Sequence, residues 1–79
     1  MHIHNGQTDK AIMRELGKRI KRARTYRDMD YETLHFASGV SINIIRHAEN
    51  GEQISLINFL KIMRGLRKLD ELDRLLEQP

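Results

Sequence analysis

Residues 31–49 read YETLHFASGVSINIIRHAE, and the fold is decided there. Asp30, just before the stretch, is a good N-cap, with Glu32 and Thr33 in the first turn of a short helix. That helix must stop at Ser38-Gly39-Val40, because Gly39 suits the left-handed position that follows a helix C-terminus. Ser41 then caps a second helix through Glu49, with Ile45 and Ala48 three apart on its inner side. A chain reversing between two helices in three or four residues needs a glycine at the corner. It also needs an apolar plug after the glycine and an N-cap that aims the second helix outward. Gly39, Val40 and Ser41 supply these in order, so the segment reads as a helix-turn-helix.

The flanks extend the helical pattern. Upstream, Thr8 or Asp9 caps a helix running to about Tyr26. Its apolar residues Ile12, Leu16, Ile20 and Ala23 form one stripe. Gly17 inside that helix costs about 1 kcal/mol relative to alanine, so it marks a close helix contact. Downstream, Asn50-Gly51 closes the helix that ends at Glu49. Ser55 caps another, with Leu56, Phe59, Leu60, Met63 and Leu66 in a three-and-four pattern. Leu69, Leu72, Leu75 and Leu76 predict a fifth, short helix with charges between the leucines. Residues 1–7 show no periodicity and predict a mobile arm, leaving residues 8–79 as the folded domain. No window alternates with a period of two and no internal repeat occurs. The expected class is all-α, with five helices.

The 79 residues make one domain with a modest core, which lowers the expectation of a walled active site and favours a partner subunit. No apolar run is long enough to span a membrane, and the first fifteen residues lack a signal peptide's apolar stretch, so a cytoplasmic protein is expected. The absence of cysteine excludes disulfides, thiolate metal sites and cysteine nucleophiles. Charge is uneven. Residues 1–27 carry eight basic and two acidic residues, net +6, while residues 28–79 carry six and nine, net −3. A basic pole on one helix suggests an anionic partner, most often nucleic acid, although a solvated face looks the same in sequence.

From about Leu16 to Leu76 the chain resembles the phage lambda repressor-like (Cro/CI, or XRE) helix-turn-helix family. The resemblance is carried by LGKRIKRAR before the motif, LHFASGVSINIIRHAENG across it, and SLINFLKIMRGL and LDELDRLL after it. It implies a compact five-helix domain that regulates transcription, repressor-like, by binding operator DNA as a dimer, with no enzymatic activity and no cofactor. Residues 41–49 would be the recognition helix. Ser41, Ile42, Asn43, Ile44, Arg46 and His47 would meet duplex DNA, and Tyr31 at the start of the preceding helix would lie against a phosphate. Lys18 and Arg22 would add sequence-independent phosphate contacts. Arg24 and Glu49 stand where the family commonly has an ion pair joining the first helix to the third. Leu69, Leu72, Leu75 and Leu76 would form the homodimer contact.

Departures from the family pattern set further expectations. Tyr31 replaces the usual Gln, so a hydroxyl stands where a two-ended amide is common. His35 replaces Ala at a close crossing, so either the crossing widens or the imidazole slides out to solvent. Ile42 and Ile44 suit thymine methyls or else a protein contact. Phe36 is either an edge-of-core ring or a partner contact. The alternative function is therefore an interaction module, or an antitoxin-type regulator, using the same scaffold to bind protein. Chemistry elsewhere is sparse. His2, His4, His35 and His47 lack carboxylates at ligand spacing, so no metal site is expected. Ser38, Ser41 and Ser55 read as turn and cap residues, and no phosphate-cradling glycine loop occurs.

Overall fold

Four short polar side chains start the four α-helices, each accepting a hydrogen bond from the backbone N–H three residues on. Thr8 takes Ala11 N–H at 3.1 Å, Asp30 takes Thr33 at 2.8 Å, Ser41 takes Ile44 at 3.2 Å, and Ser55 takes Asn58 at 3.1 Å. Each satisfies a donor that the helix itself leaves unpaired, which is worth about 1 kcal/mol. The Thr33 backbone N–H also holds the Asp30 carboxyl below its ordinary range. The cap is thus fully formed above that range and is lost as pH falls through the lowered value.

The computed structural model describes residues 2–78. Met1, in the expected arm, and Pro79, at the end of the expected domain, lie outside the described residues. The elements are α1 (Asp9–Tyr26), α2 (Tyr31–Ser38), α3 (Ile42–Glu49), α4 (Leu56–Gly65) and a 3-10 helix (Leu69–Arg74), with no strand among the described residues. The architecture is all-α. Helix α1 packs on α3 and α2 packs on α4, so α2 and α3, which also touch each other, are each braced by another helix. No helix is long and apolar enough to cross a membrane.

The core is Ile20, Leu34, Val40, Ile45, Ala48, Ile62 and Leu66. Full burial of each large aliphatic side chain stabilises by about 1.5–3 kcal/mol. Val40 plugs the corner as expected, and Gly39 takes φ 75° there, with its N–H on the His35 carbonyl at 2.8 Å. The α4 stripe is rotated from its expected position. Ile62 is fully buried, whereas Leu56, expected to face the core, is 73% exposed. Leu56, in the first turn, lines an open apolar cavity with Met13, Leu16 and Ala48 and is not buried by them.

The His35 imidazole does not slide out to solvent. Its Nδ1 lies 2.7 Å from the Val40 carbonyl oxygen. A carbonyl only accepts, so this nitrogen carries the proton and the half-buried ring staples α2 to the turn.

Within the expected arm, residues 4–7 form a turn in which Gln7 N–H bonds the His4 carbonyl at 3.2 Å and Gly6 N–H bonds His4 Nδ1 at 3.0 Å. The C-terminal end departs from expectation. The fifth helix is a 3-10 helix and ends before the last two leucines. Leu75 is extended, and Leu76 takes φ 58°, which no continuing helix tolerates. Lys68 provides no side-chain cap at the start, and charged residues separate the leucines, so little packing holds a full α-helix there.

Candidate nucleic-acid interface

Helix α3 is held from behind by a buried ionic network. Glu49, its last residue, accepts two bonds from Arg24 of α1: Nε to Oε2 at 2.6 Å and Nη2 to Oε1 at 3.1 Å. The side chains are 8% and 3% exposed. Arg24 Nη1 donates to the Met29 carbonyl at 2.9 Å, and the Tyr31 hydroxyl donates to Glu49 Oε1 at 3.1 Å. The expected Arg24–Glu49 pair is therefore present and buried. Glu49 beside it raises the Arg24 pKa further. Among the described residues no buried side-chain nitrogen or oxygen is left without a partner, the condition under which a buried charge pair is tolerated.

Tyr31 is occupied differently from expectation. Its hydroxyl proton goes to Glu49, and its half-buried ring lies 4.1 Å from the Arg24 guanidinium carbon and 5.1 Å from that of Arg46. The ring face attracts both cations. Tyr31 thus ties the buried pair to a cation on the outer side of α3.

No family model, curated protein or solved structure matches the chain.

The outward face of α3 presents Asn43 in its first turn and Arg46 and His47 in its last, all exposed. The amide of Asn43 both donates and accepts, and the Arg46 guanidinium offers a planar fork of donors. His47 Nδ1 lies 2.8 Å from Glu52 Oε2, which leaves its Nε2 to face outward. Ser41 is exposed, but its hydroxyl accepts from Ile44 N–H as the cap. Ile42 is half-buried, and Ile44, expected beside it on the outer face, packs against the core cluster. An α-helix turns 100° per residue, so Ile44 follows the inward Ile45 and Ala48 more closely than Asn43 does.

The fold does not bring Lys18 and Arg22 to this face. They lie about 160° round α1 from the buried Ile20, on the side turned away from the core. Other basic residues approach α3 instead. The Arg14 backbone and side chain close on Gly51 just after α3, and Lys10 lines a shallow cleft with Gly51 and Gln53. Sequence periodicity did not distinguish Lys10 and Arg14 from the other cations of α1. The partner that separates them is Gly51, forty residues downstream.

A second buried carboxylate was also missed. Glu15 of α1 is buried and takes Arg19 Nε at 2.9 Å and Arg22 Nη2 at 3.4 Å, and the Arg19 bond holds its pKa down. Its i,i+4 spacing to Arg19 was the available signal. Among the described residues no three His, Asp or Glu side chains gather as a metal would require.

The four C-terminal leucines divide. Leu69 and Leu72 are half-buried, and Leu72 joins Leu16, Ile20, Ala23, Phe59 and Met63 along a groove between α1 and α4. Leu75 and Leu76 are exposed.

Proposed function

We propose that this chain is a lambda repressor-like regulator that binds duplex DNA sequence-specifically as a homodimer, with α3 as recognition helix. One observation carries the reading: α3 is locked from behind by the Glu49–Arg24–Tyr31 network while Asn43, Arg46 and His47 stand free of the core on its outer side. Such an element suits the major groove, where an Asn amide fits adenine and an Arg fork fits guanine. Lys10 and Arg14 near the end of α3 suit flanking phosphates, and Lys18 and Arg22 contribute only to the long-range field that draws DNA in. Paired half-sites would lie about 34 Å apart, one turn of the duplex. The role is occupancy of DNA, with no catalytic step.

Selection of bound sequences from a random duplex pool tests this directly. On the selected site, Asn43→Ala and Arg46→Ala are each expected to lower affinity by about 1–3 kcal/mol while binding to unrelated duplex is kept. A pool that yields no enriched sequence sinks the proposal.

Homodimerisation rests on Leu75 and Leu76, exposed beside the acidic Asp70, Glu71, Asp73 and Glu77. An apolar patch with a charged rim suits a two-fold contact. Leu72 already packs in its own domain, so it is a poorer probe than its neighbours. The wild-type protein is expected to sediment as a dimer at tens of micromolar and Leu75→Glu as a monomer. A monomeric wild type removes the dimer and with it the paired half-sites.

A second reading, a protein-binding module or antitoxin-type regulator, is favoured by Phe36, which is 75% exposed on α2. The half-burial of Ile42 and Ile44 leaves that surface smaller than the sequence suggested.

A further inference from the structure

The C-terminal end of α1 carries a basic surface that makes no contact in the duplex-binding reading, where Arg22 adds only to the long-range field. Arg19, Arg22, Ala23, Tyr26, Arg27 and Lys68 line an open cavity of about 560 Å³. Arg19 lies about 160° round α1 from Gly17, the residue against which the end of α3 packs. The cavity is therefore on the opposite side of α1 from the recognition helix.

Its chemistry is specific in kind. Four cations converge there, against two carboxylates at the edge: Glu15, holding Arg19 and Arg22, and Glu71, 3.2 Å from Lys68. Tyr26 stands among them 91% exposed, and no aromatic or cation–π contact involves its ring among the described residues. A large aromatic side chain left this bare is costly to hydrate and is out of place in a purely solvated face. The cations alone would suit any anion. A bare ring between them suits an anion that also has a flat face to stack.

We propose that this cavity binds a nucleotide unit, with the base stacked on Tyr26 and the phosphates held by Arg22, Arg27 and Lys68. The volume lies within the range of small-ligand sites. The same chemistry is offered by a free nucleoside polyphosphate and by a nucleotide within a single strand. The site is independent of the duplex interface and does not require that reading to hold.

The test uses the full chain, with amide chemical shifts and affinities recorded for ATP, the single strand dT8, inorganic tripolyphosphate and octaglutamate at one ionic strength. At least one of ATP and dT8 is expected to bind more tightly than tripolyphosphate and octaglutamate, with shifts centred on Tyr26, Arg27 and Lys68. ATP alone would identify a free nucleotide as ligand; dT8 would identify a strand. Tyr26→Ala removes no packing, so it is expected to stay folded and to weaken the base-bearing probe about tenfold, the scale of one stacked base. Arg27→Glu is expected to weaken every anion. Equal binding of tripolyphosphate or octaglutamate, or shifts centred on Asn43 and Arg46 instead, would overturn the proposal. So would a Tyr26→Ala variant of unchanged affinity.

Discussion

Replacing Glu49 with alanine is expected to destabilise the domain by about 3–5 kcal/mol, the cost of leaving a buried charge without its partner. Three donors lose their acceptor at once, two from Arg24 and the Tyr31 hydroxyl. Arg24 cannot escape by losing its proton, because the intrinsic basicity of guanidinium keeps it charged even without Glu49. Nor can it swing easily to water, since Nη1 is tied to the Met29 carbonyl and the group lies against the Tyr31 ring. A domain of 79 residues has about 4–12 kcal/mol of total stability, so the loss is a large fraction of what keeps it folded. An exposed pair would give about 0–1 kcal/mol. Chemical denaturation separates these outcomes, and a midpoint close to wild type would show that the pair is solvated. An Arg24→Met, Glu49→Leu double variant is expected to recover much of the loss, because it removes both charges from the interior. Duplex binding would fall with Glu49→Ala even in the folded fraction, since Tyr31 links the pair to Arg46.

What the sequence made legible was local. The caps at Thr8, Asp30, Ser41 and Ser55 and the corner at Gly39-Val40 depend on residues within a few positions of each other, and all appear where their types predicted. The failures are of two physical kinds. At α4 the spacing of Leu56 matched a helix stripe, but burial depends on how the helix is turned against its neighbours, and the buried side is centred on Ile62 and Leu66. After Lys68, leucine periodicity suggested an α-helix, yet a short uncapped segment with little to pack against gains too little to pay for nucleation. The candidate interface was legible in outline through Asn43, Arg46 and His47. The bond from Tyr31 to Glu49, the approach of Arg14 to Gly51 and the inward turn of Ile44 were not, because each is set by the angle at which α1, α2 and α3 cross. A family pattern supplied the Arg24–Glu49 pair; no local rule links residues twenty-five apart.

Gly17→Ala is expected to lower stability by about 2 kcal/mol, although helix propensity alone argues for the opposite sign. Alanine in the middle of a helix gains about 1 kcal/mol over glycine. Against that, a Cβ at position 17 would stand 2.5 Å from the Ala48 carbonyl oxygen and 2.6 Å from that of Glu49. Both are main-chain atoms of α3, so no side chain can rotate away and the helix axes must separate. Overpacking costs about 1–3 kcal/mol when neighbours can adjust, and a blocked backbone belongs at the upper end of that range. The clash therefore exceeds the propensity gain. The displacement is also directional: α3 is pushed off α1 at the residues where Arg24 meets Glu49, which stretches a buried ion pair that begins at 2.6 Å. Both stability and affinity for the selected duplex should therefore fall together, unlike Asn43→Ala, which leaves the denaturation midpoint in place. Urea unfolding beside duplex titration distinguishes the two, and a Gly17→Ala protein that unfolds at higher urea than wild type would show that α1 and α3 do not cross this closely.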